Sequence, residues 1–355
     1  MTTRILYRVD AGNIVGTGHV KEILSIHNEL VKQKDIEADV CINNSKIAAD
    51  LIDVSGIGVV RQVSIESEAE ELAQIDKIYE DDEYSFVILS VLDRSPRYYA
   101  EFKKKFGQTI VILDNENVTA VDAKLCINYS ILQKEENYSL CHSINETEYW
   151  IGPNYFPFSR SIRFIGSKRS NNGVKQIIVS QGGTDPQGLT KKLLLALRSL
   201  KLTTRIVVVI GSGLTNRCQA DLEMFKRTLP DNYEFYNNLS IHEMHNLIFT
   251  SDLALTAAGN TLYELAWFGV PSIVISHHNK HDLVAREFEN RGAVINLGIG
   301  TEISVNVITK ALSSLIEDSV LRQALSDRAR LITDGKGIEK LVGYVTQKTH
   351  DGTSL

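Results

Sequence analysis

The feature that most constrains this chain is a repeated alternation of short, continuous apolar runs with amphipathic segments of helical spacing. Residues 86–91 and 109–113 are almost entirely apolar, whereas Val20, Ile23 and Leu24 recur at the spacing of one helix face. Strands that read as continuous apolar runs are buried on both faces, and parallel strands need helical crossovers between them. The pattern therefore predicts an α/β fold with parallel sheets that are covered by helices on both faces.

This pattern occurs twice along the 355 residues, which also suits two domains of about 150 residues each. The most polar, glycine-rich segment in the middle is residues 166–173, which we interpret as a linker. We predict an N-terminal Rossmann-like domain at residues 1–165, a C-terminal one at 174–318, and helices at 319–355 that could cross back to the first domain. Two doubly wound domains of this kind would face a central cleft, since open α/β sheets bind ligands at the carboxyl ends of their strands.

Composition excludes several functional classes. The chain has 38 Lys and Arg against 44 Asp and Glu, a net charge of −6, so it lacks the basic excess that nucleic-acid binding requires. Its four cysteines form no C-x-x-C pair, which disfavours a zinc ribbon, a thioredoxin-type redox motif and a disulfide framework. The sequence has neither a signal-peptide pattern nor a long apolar run, so we expect a cytoplasmic protein with no membrane span.

The first loop of chemical interest lies between the first strand and the first helix and runs from Asp10 to His19. Its glycines Gly12, Gly16 and Gly18 permit close approach of a ligand, but their order fits neither a dinucleotide fingerprint nor a Walker loop. His19 falls in the first helical turn, where the positive end of the helix dipole disfavours a charged imidazole. It is therefore placed to act as a neutral general base. The alternative interpretation is a capping or packing histidine beside a tight turn.

The second loop follows the first strand of the second domain and contains Gly182, Gly183 and Thr184. Two glycines allow a sharp turn with exposed amides, and Thr184 or Asp185 can cap a helix that begins at Pro186. Such a turn suits a phosphate or a sugar hydroxyl. The alternative is an ordinary connection between a strand and a helix.

The third loop follows a buried strand and consists of small residues. It leads into a helix that carries Asn260, Thr261 and Glu264. A carboxylate one turn into that helix can accept both hydroxyls of a ribose. The alternative is a helix-terminal glutamate that is favoured by the dipole.

The fourth loop contains His277, His278 and His281, with Lys280 among them. Three histidines in five residues suggest a metal, but their spacing is loop-like, with no H-x-x-x-H on an established helix and no obvious carboxylate partner. We favour a polar loop that contacts phosphate or sugar through Lys280 and His281, and we predict no metal site.

The motifs of these loops occur in an order that resembles one enzyme family, the nucleotide-sugar hydrolases of the pseudaminic acid pathway, which act on UDP-2,4-diacetamido-2,4,6-trideoxy-β-L-altropyranose. The resemblance extends from residue 4 to about residue 300, and its last motif is shared with the GT-B nucleotide-sugar glycosyltransferases. The matching motifs are Arg8-Val9-Asp10, Gly16-Thr17-Gly18-His19-Val20, Gly182-Gly183-Thr184-Asp185, and Ala258, Asn260 and Glu264 with Gly269-Val270-Pro271.

The resemblance implies a GT-B fold, a UDP-sugar held mostly by the C-terminal domain, and a reaction without metal or cofactor. In that reaction His19 would activate water at the anomeric carbon. Asp10 and the glycines Gly16, Gly18, Gly182 and Gly183 would then contact the substrate, together with the polar side chains named above.

Two departures from the family pattern fall where the sugar or the acceptor should lie. Ser90-Val91-Leu92 stands in the place of an Asp-x-Tyr element, with Asp93 as the nearest acid, and Lys280-His281 replaces an Asn-Gln pair. We therefore expect the family's usual substrate to be handled less well here.

The sequence predicts a hydrolase that releases UDP and a free amino-deoxy sugar for nonulosonic acid biosynthesis. The alternative is a GT-B glycosyltransferase that uses a UDP- or CMP-linked sugar in surface glycan or flagellin glycosylation, with His19 or Asp93 as its base and a glycan or protein as its acceptor. A third possibility, a nucleotide-sugar-binding protein without activity, is disfavoured by the presence of His19.

Overall fold

The structure is a computed structural model. It describes all of the chain except residues 1, 13–16, 34–35, 46–48, 50–51, 53–56, 81–82, 93, 160–161, 163–172, 212, 215, 238 and 352–355. Its contacts divide the chain into two compact units. Unit 1 comprises residues 1–160 and 335–355, and unit 2 comprises residues 161–334.

Unit 1 is built on a sheet whose described strands are all parallel and whose central strands are largely buried. They are β1 (Thr3–Val9), β2 (Ile36–Asn43), β3 (Val60–Val63), β4 (Phe86–Ser90), β5 (Thr109–Leu113), β6 (Leu125–Asn128) and β7 (Glu148–Ile151). Their order is β3-β2-β1-β4-β5-β6-β7, so β1 lies in the middle with β2 and β4 beside it. Ser90 pairs with Val9, which places the ends of β4 and β1 at the same edge of the sheet.

Four described helices precede unit 2 in the sequence, and serine side chains cap two of them. They are α1 (Gly18–Leu30), α2 (Glu68–Ile78), α3 (Pro96–Phe106) and α4 (Ser139–Ile144). The hydroxyls of Ser67 and Ser95 accept from backbone N–H groups in the first turns of α2 and α3. Pro96 occupies the first turn of α3, where its missing N–H costs nothing.

Unit 2 contains a second parallel sheet within its described residues. Its strands are β8 (Gln176–Ser180), β9 (Arg205–Ile210), β10 (Tyr233–Asn237), β11 (Leu253–Thr256), β12 (Ser272–Ser276) and β13 (Ile295–Ile299). They follow the order β10-β9-β8-β11-β12-β13, so β8, β11 and β12 are neighbours. The loops after these three strands therefore share one edge of the sheet, at the carboxyl ends of the strands.

Seven described helices surround this sheet. They are α5 (Leu189–Ser199), α6 (Asn216–Lys226), α7 (Ile241–Thr250), α8 (Asn260–Phe268), α9 (Asn279–Asn290), α10 (Val305–Glu317) and α11 (Ser319–Ala329). A capping box between Ser240 and Glu243 starts α7. Asp318 caps α11, which packs against α8 and α10.

The last helix, α12 (Gly337–Asp351), packs against α1 of unit 1. Gly337 lies so close to the chain at Tyr155 that an added Cβ would approach the Tyr155 carbonyl carbon to 2.5 Å. Tyr344 of this helix meets the ring of Trp150 edge-on at 5.6 Å. A helix that follows unit 2 in sequence thus completes unit 1.

The structure confirms the predicted α/β class with two doubly wound parallel sheets. Strand β7 was not among the predicted strands, because it is an edge strand that alternates exposed and buried residues instead of forming a continuous apolar run. The predicted unit of residues 319–355 divides at residue 335, since α11 packs within unit 2 whereas α12 packs on unit 1. The predicted linker, except Gly173, lies outside the described residues. In the described part of the chain, no helix is long and apolar enough to cross a membrane.

Candidate functional site

His19 lies in the first turn of α1, directly after the loop that follows β1. Its side chain is partly buried, and its Nδ1 lies 2.8 Å from the hydroxyl of Ser90 at the end of β4. Because β1 and β4 are adjacent, Ser90 lies at the strand ends that lead into the loop of His19. The ring is therefore held through Nδ1, and the chemistry of a base would fall to Nε2.

A buried carboxylate lies one turn further along α1. Glu22 is 5% exposed, and its Oε2 accepts a hydrogen bond of 2.8 Å from the Tyr129 hydroxyl. Burial raises the pKa of Glu22 to about 7, against the lowering effect of the Tyr129 and Ser90 hydroxyls, and the charge of Asp114 raises it further. Glu22 and Ser90 were not predicted as site residues. The spacing of Glu22 from His19, three residues within one helix, is the sequence signal that could have identified it.

The loop after β1 is fixed at its start by Asn43, the last residue of β2. The Asn43 amide accepts from the Ala11 N–H at 2.8 Å and donates to the Ala11 carbonyl at 2.7 Å. This pair of bonds holds the Ala11 backbone next to Gly12, which has a positive φ of 148°. The described start of the His19 loop is therefore rigidly attached to the neighbouring strand.

A buried ionic network lies beneath the same loop. The Arg8 guanidinium is fully buried and pairs with Asp10 at 2.8 Å and with Glu71 at 2.6 Å. Arg94 pairs with the same two carboxylates, at 2.9 Å and 3.2 Å. The Tyr98 hydroxyl donates to Glu71 at 2.5 Å. Two arginines and two carboxylates balance in charge, which is the condition under which buried ions are tolerated.

This network changes the interpretation of Asp10. The sequence predicts a substrate contact for it, but its side chain is only 1% exposed and both carboxylate oxygens face arginines. Asp10 also accepts from the Leu92 N–H at 3.2 Å. We therefore propose a supporting role for Asp10, which ties the loop after β1 to the loop after β4.

In unit 2 the glycine loop follows β8 directly. Gly182 adopts a φ of 80°, which favours glycine. Gly183 is approached so closely by Gly211 that a Cβ on Gly211 would come within 2.2 Å of the Gly183 carbonyl oxygen. The Gly213 N–H donates to that same oxygen at 2.8 Å. The loop is thus shaped by its neighbour after β9, while Gly182 stays exposed.

Asp185 is the residue that caps the following helix. Its two carboxylate oxygens accept from the N–H groups of Leu189 and Thr190 at 2.8 and 3.0 Å. The helix begins at Leu189 and not at Pro186, because residues 186–188 form a turn that ends at Gly188 with a φ of 64°. Thr184 is left half-buried in the glycine loop.

Glu264 lies in α8 with Asn260 and Thr261, and all three side chains are partly exposed. The Glu264 side chain is 20% exposed, and its Oε1 lies 3.3 Å from Nε2 of His245 on α7. His245 is 1% exposed and its ring contacts Phe268 edge-on. The buried imidazole of His245 therefore orients the Glu264 carboxylate. His245 was not among the residues predicted from the sequence.

The loop after β12 contacts the glycine loop through His277. The Nε2 atom of His277 lies 3.1 Å from the Gln181 carbonyl oxygen, and the Gln187 side-chain amide donates to the His277 carbonyl. His278 caps α9. Burial lowers the pKa of His281 to about 3, and His278 and His277 lower it further, so His281 is neutral at pH 7. Lys280 is exposed and supplies the positive charge of this loop.

Several buried polar atoms around these two loops have no hydrogen-bond partner among the described residues. They are both amide atoms of Gln181, the Ser276 hydroxyl, and Nδ1 of His277 and of His281. An unpaired buried polar atom costs about 1–3 kcal/mol, so a ligand or water that bonded to these groups would recover that free energy. The cluster lies at the carboxyl ends of β8 and β12, where α/β sheets bind ligands.

The structure thus brings the predicted residues together within each unit. Gly18 and His19 share the start of α1, and Gly182, Gly183, Thr184, Asn260, Thr261, Glu264, Lys280 and His281 share one edge of the unit 2 sheet. Gly16 and Asp93 lie outside the described residues. Within the part of the chain that is described, no three His, Cys, Asp or Glu side chains are grouped so as to hold a metal ion.

In comparisons with known proteins, most of unit 2 is similar to one domain family. Residues 177–331 match the glycosyltransferase family 28 C-terminal domain. The spore coat polysaccharide biosynthesis protein SpsG of Bacillus subtilis is 27% identical over 173 residues, which cover 48% of this chain and 50% of SpsG. The match to this relative therefore covers half of its length.

Several solved structures resemble this chain over almost its whole length. MurG of Acinetobacter baumannii superimposes with a TM-score of 0.69 at 12% identity, over 98% of this chain and 100% of MurG. The UDP-GlcNAc 2-epimerase of Neisseria meningitidis bound to UDP-GlcNAc gives a TM-score of 0.63 at 13% identity, over 97% of this chain and 100% of the epimerase. The chain has the GT-B fold.

The GT-B fold and one further relative confirm the family resemblance seen in the motifs. The pseudaminic acid cytidylyltransferase and UDP-2,4-diacetamido-2,4,6-trideoxy-β-L-altropyranose hydrolase of Helicobacter pylori is 25% identical over 215 residues. The match covers 60% of this chain and 37% of the Helicobacter protein. Together these findings show that the chain has the GT-B fold and that it is similar to proteins of spore coat polysaccharide and pseudaminic acid biosynthesis.

Proposed function

We propose that this GT-B protein is a nucleotide-sugar hydrolase that releases UDP and a free amino-deoxy sugar for nonulosonic acid biosynthesis. The observation that carries the proposal is His19, which is held by Ser90 through Nδ1 at 2.8 Å at the start of α1. The name of the Helicobacter relative, which includes a UDP-sugar hydrolase, supports the choice of reaction.

His19 would act as the general base. Nε2 takes a proton from water as the water oxygen attacks the anomeric carbon of the sugar. The bond between that carbon and the β-phosphate oxygen of UDP breaks, and UDP leaves with the electron pair. A general base in this position contributes about 10²- to 10⁴-fold to the rate.

Unit 2 would hold the nucleotide. The exposed Gly182 and the half-buried Thr184 suit the diphosphate, since a glycine turn before a helix presents N–H groups to an anion. Glu264, oriented by His245, suits the ribose hydroxyls. The partner-free polar atoms of Gln181 and Ser276 add hydrogen-bonding capacity near the same loops.

Glycosyl transfer is the second candidate. The observation that favours it is the match of residues 177–331 to a glycosyltransferase domain. In a transferase the same base would deprotonate an acceptor hydroxyl of a glycan or protein, and the nucleotide could be UDP or CMP. Ser90, Val91 and Leu92 in place of the family's polar element also suit a changed acceptor.

The two candidates differ in whether an acceptor is needed. The protein is incubated with UDP-2,4-diacetamido-2,4,6-trideoxy-β-L-altropyranose alone, and UDP and free sugar are quantified over time by chromatography. Equal amounts of both, formed at an enzymatic rate, support the hydrolase. Release of UDP only after candidate acceptors are added would reject the hydrolase in favour of transfer. His19→Asn, prepared in parallel, controls for a contaminating hydrolase.

A further inference from the structure

The Glu264 carboxylate is held at one oxygen and open at the other. Its Oε1 lies 3.3 Å from Nε2 of His245. Among the described residues, Glu264 has no other hydrogen-bond or ion-pair partner, and its Oε2 is not among the buried polar atoms. An ionised carboxylate can only accept hydrogen bonds, so His245 donates from Nε2 and the second oxygen keeps its capacity to accept from a ligand.

A helix-terminal role does not account for this carboxylate. Helix α8 begins at Asn260, has no acidic residue in its first turn, and receives no side-chain cap from Gly259. Glu264 is the fifth residue of the helix, beyond the four positions whose backbone N–H groups lack a partner within the helix. Its orientation is therefore set by the side chain of His245.

The His245 ring is itself fixed by packing. Its side chain is only 1% exposed and meets the ring of Phe268 edge-on, with the two centroids 6.0 Å apart. Phe249, one turn further along α7, meets the same Phe268 ring at 5.9 Å. These aromatic contacts join α7 to α8, so the imidazole and the carboxylate are carried by two helices that pack together.

Helix α7 is also anchored at both of its ends. At its start, Ser240 and Glu243 form a capping box. At its end, the side-chain amide of Gln176 donates to the hydroxyls of Thr250 and Ser251, at 2.9 Å each. Gln176 is the first residue of β8, so α7 is tied to the strand that leads into the glycine loop. The position of His245 is therefore set by the framework of unit 2.

We propose that His245 is a positioning residue that holds the Glu264 carboxylate for the vicinal hydroxyls of a ribose, so that unit 2 binds ribonucleotides in preference to 2′-deoxyribonucleotides. The contact between Glu264 and the ribose rests on the proposed function. The role of His245 rests on its hydrogen bond to Oε1. A carboxylate that is oriented before the ligand arrives loses less conformational freedom on binding, which increases affinity.

The test compares binding of UDP with binding of 2′-deoxy-UDP by titration calorimetry. The wild type should prefer UDP by about 10- to 100-fold, the range for a hydroxyl that bonds to a charged group. The same comparison is made with CMP and 2′-deoxy-CMP, because both ribonucleotides carry the same ribose. Binding of neither UDP nor CMP, or equal binding of the ribo and deoxy forms, would overturn the proposal.

Two substitutions of His245 separate the reach of the donor from the loss of the ring. His245→Gln keeps an N–H donor at about the distance of Nε2 and should retain most of the preference for ribose. His245→Asn places its amide too close to the backbone to reach Glu264. It should weaken UDP binding by about 3- to 30-fold, within the range of coupling between residues in contact, and 2′-deoxy-UDP binding much less. An unchanged preference in His245→Asn would reject the positioning role; His245→Leu replaces it if it does not fold.

A double-mutant cycle shows whether His245 acts through Glu264. In a Glu264→Ala background, His245→Asn should cause no further loss of UDP affinity, because the carboxylate that it orients is gone. Losses that add independently would overturn the proposal. Phe249→Leu loosens the packing of α7 on Phe268 without touching the hydrogen bond, so it should lower the melting temperature and keep the preference for ribose. Loss of the preference in Phe249→Leu would show a general loosening of the helices instead.

Binding is measured without turnover, which separates this proposal from the proposed function. A protein that hydrolyses no nucleotide-sugar, but loses its preference for ribose in His245→Asn and keeps it in His245→Gln, rejects the hydrolase and supports the positioning role. A working hydrolase whose preference for ribose is the same in the wild type and in His245→Asn rejects the positioning role and leaves the hydrolase standing.

Discussion

At the scale of single residues, the proposed catalytic role of His19 is tested by substitution. His19→Asn keeps an amide near the position of Nδ1, which can still bond to Ser90, but it removes Nε2. We expect kcat to fall about 10²- to 10⁴-fold with little change in the melting temperature, because only the proton acceptor is lost. His242→Asn, an exposed histidine on α7, is the matched control and should keep wild-type turnover. Wild-type turnover in His19→Asn would make His19 a structural residue.

Glu264 tests the nucleotide site separately from the chemistry. If its carboxylate accepts ribose hydroxyls, Glu264→Gln should weaken UDP binding by about 1.5–3 kcal/mol, the range for hydrogen bonds to a charged group. Titration calorimetry with UDP measures this directly, and the exposed Glu317 on α10 offers a control substitution to Gln. Unchanged UDP affinity in Glu264→Gln would show that Glu264 serves only the helix and His245.

The site residues that were predicted from the sequence and those that were not differ in where they lie in the fold. His19, the glycine loop and Glu264 stand out because they follow apolar strands directly, in loops with unusual composition. Ser90, Asn43 and His245 act on those loops from neighbouring strands or helices. Their roles depend on the strand order and on helix packing, which a local pattern does not encode.

At the scale of elements, the ionic network beneath the loop after β1 should dominate local stability. Glu71 on α2 faces Arg8 at 2.6 Å and Arg94 at 3.2 Å. Glu71→Gln leaves the fully buried Arg8 and the partly buried Arg94 with a single carboxylate, and removal of one member of a buried pair costs about 3–5 kcal/mol. Urea unfolding measures the loss. Glu70→Gln changes an exposed residue of the same helix and should shift the free energy of unfolding by less than about 0.5 kcal/mol. Equal stabilities for the two variants would contradict the network's role.

Helix α1 should also make stability depend on pH. The pKa of Glu22 is raised from 4.5 to about 7 in the folded protein, so folding favours its protonated form. Its stabilising contribution is complete below the unfolded pKa and is lost as pH rises through about 7, a change of roughly 3 kcal/mol by linkage. Unfolding free energies of wild type and Glu22→Gln between pH 5 and 8 should therefore differ in slope. Parallel curves would show that Glu22 is not buried as a titrating group.

Elements were predictable where burial was uniform. Strands such as β4 and β5 are buried at every residue and read as continuous apolar runs. The edge strand β7 exposes Glu148 and leaves Trp150 only partly buried, so its pattern is weak. The start of α5 was predicted too early, because Pro186 suggested a first helical turn, whereas the turn at residues 186–188 delays the helix to Leu189.

At the scale of the whole molecule, the family evidence is uneven between the two units. The glycosyltransferase domain match covers residues 177–331, which lie in unit 2 and include the motifs assigned to the nucleotide. Unit 1 carries His19 and the departure at Ser90, Val91 and Leu92. The nucleotide partner is therefore better supported than the sugar.

The departure at Ser90, Val91 and Leu92 should lower the efficiency toward the family's usual diacetamido-altrose substrate. We expect the kcat/KM of this protein for that substrate to be lower than the kcat/KM of a relative that has the full motif. Equal values would show that the departure is harmless.

The most direct test of the central claim follows oxygen during turnover in H₂¹⁸O. If His19 activates water at the anomeric carbon, UDP forms without any acceptor and keeps its ordinary mass, because the broken bond lies on the sugar side of the bridging oxygen. Mass spectrometry of the released UDP gives the result, with His19→Asn as the blank. The account predicts unlabelled UDP together with free sugar. UDP that carries ¹⁸O, or no UDP until an acceptor is added, would contradict it.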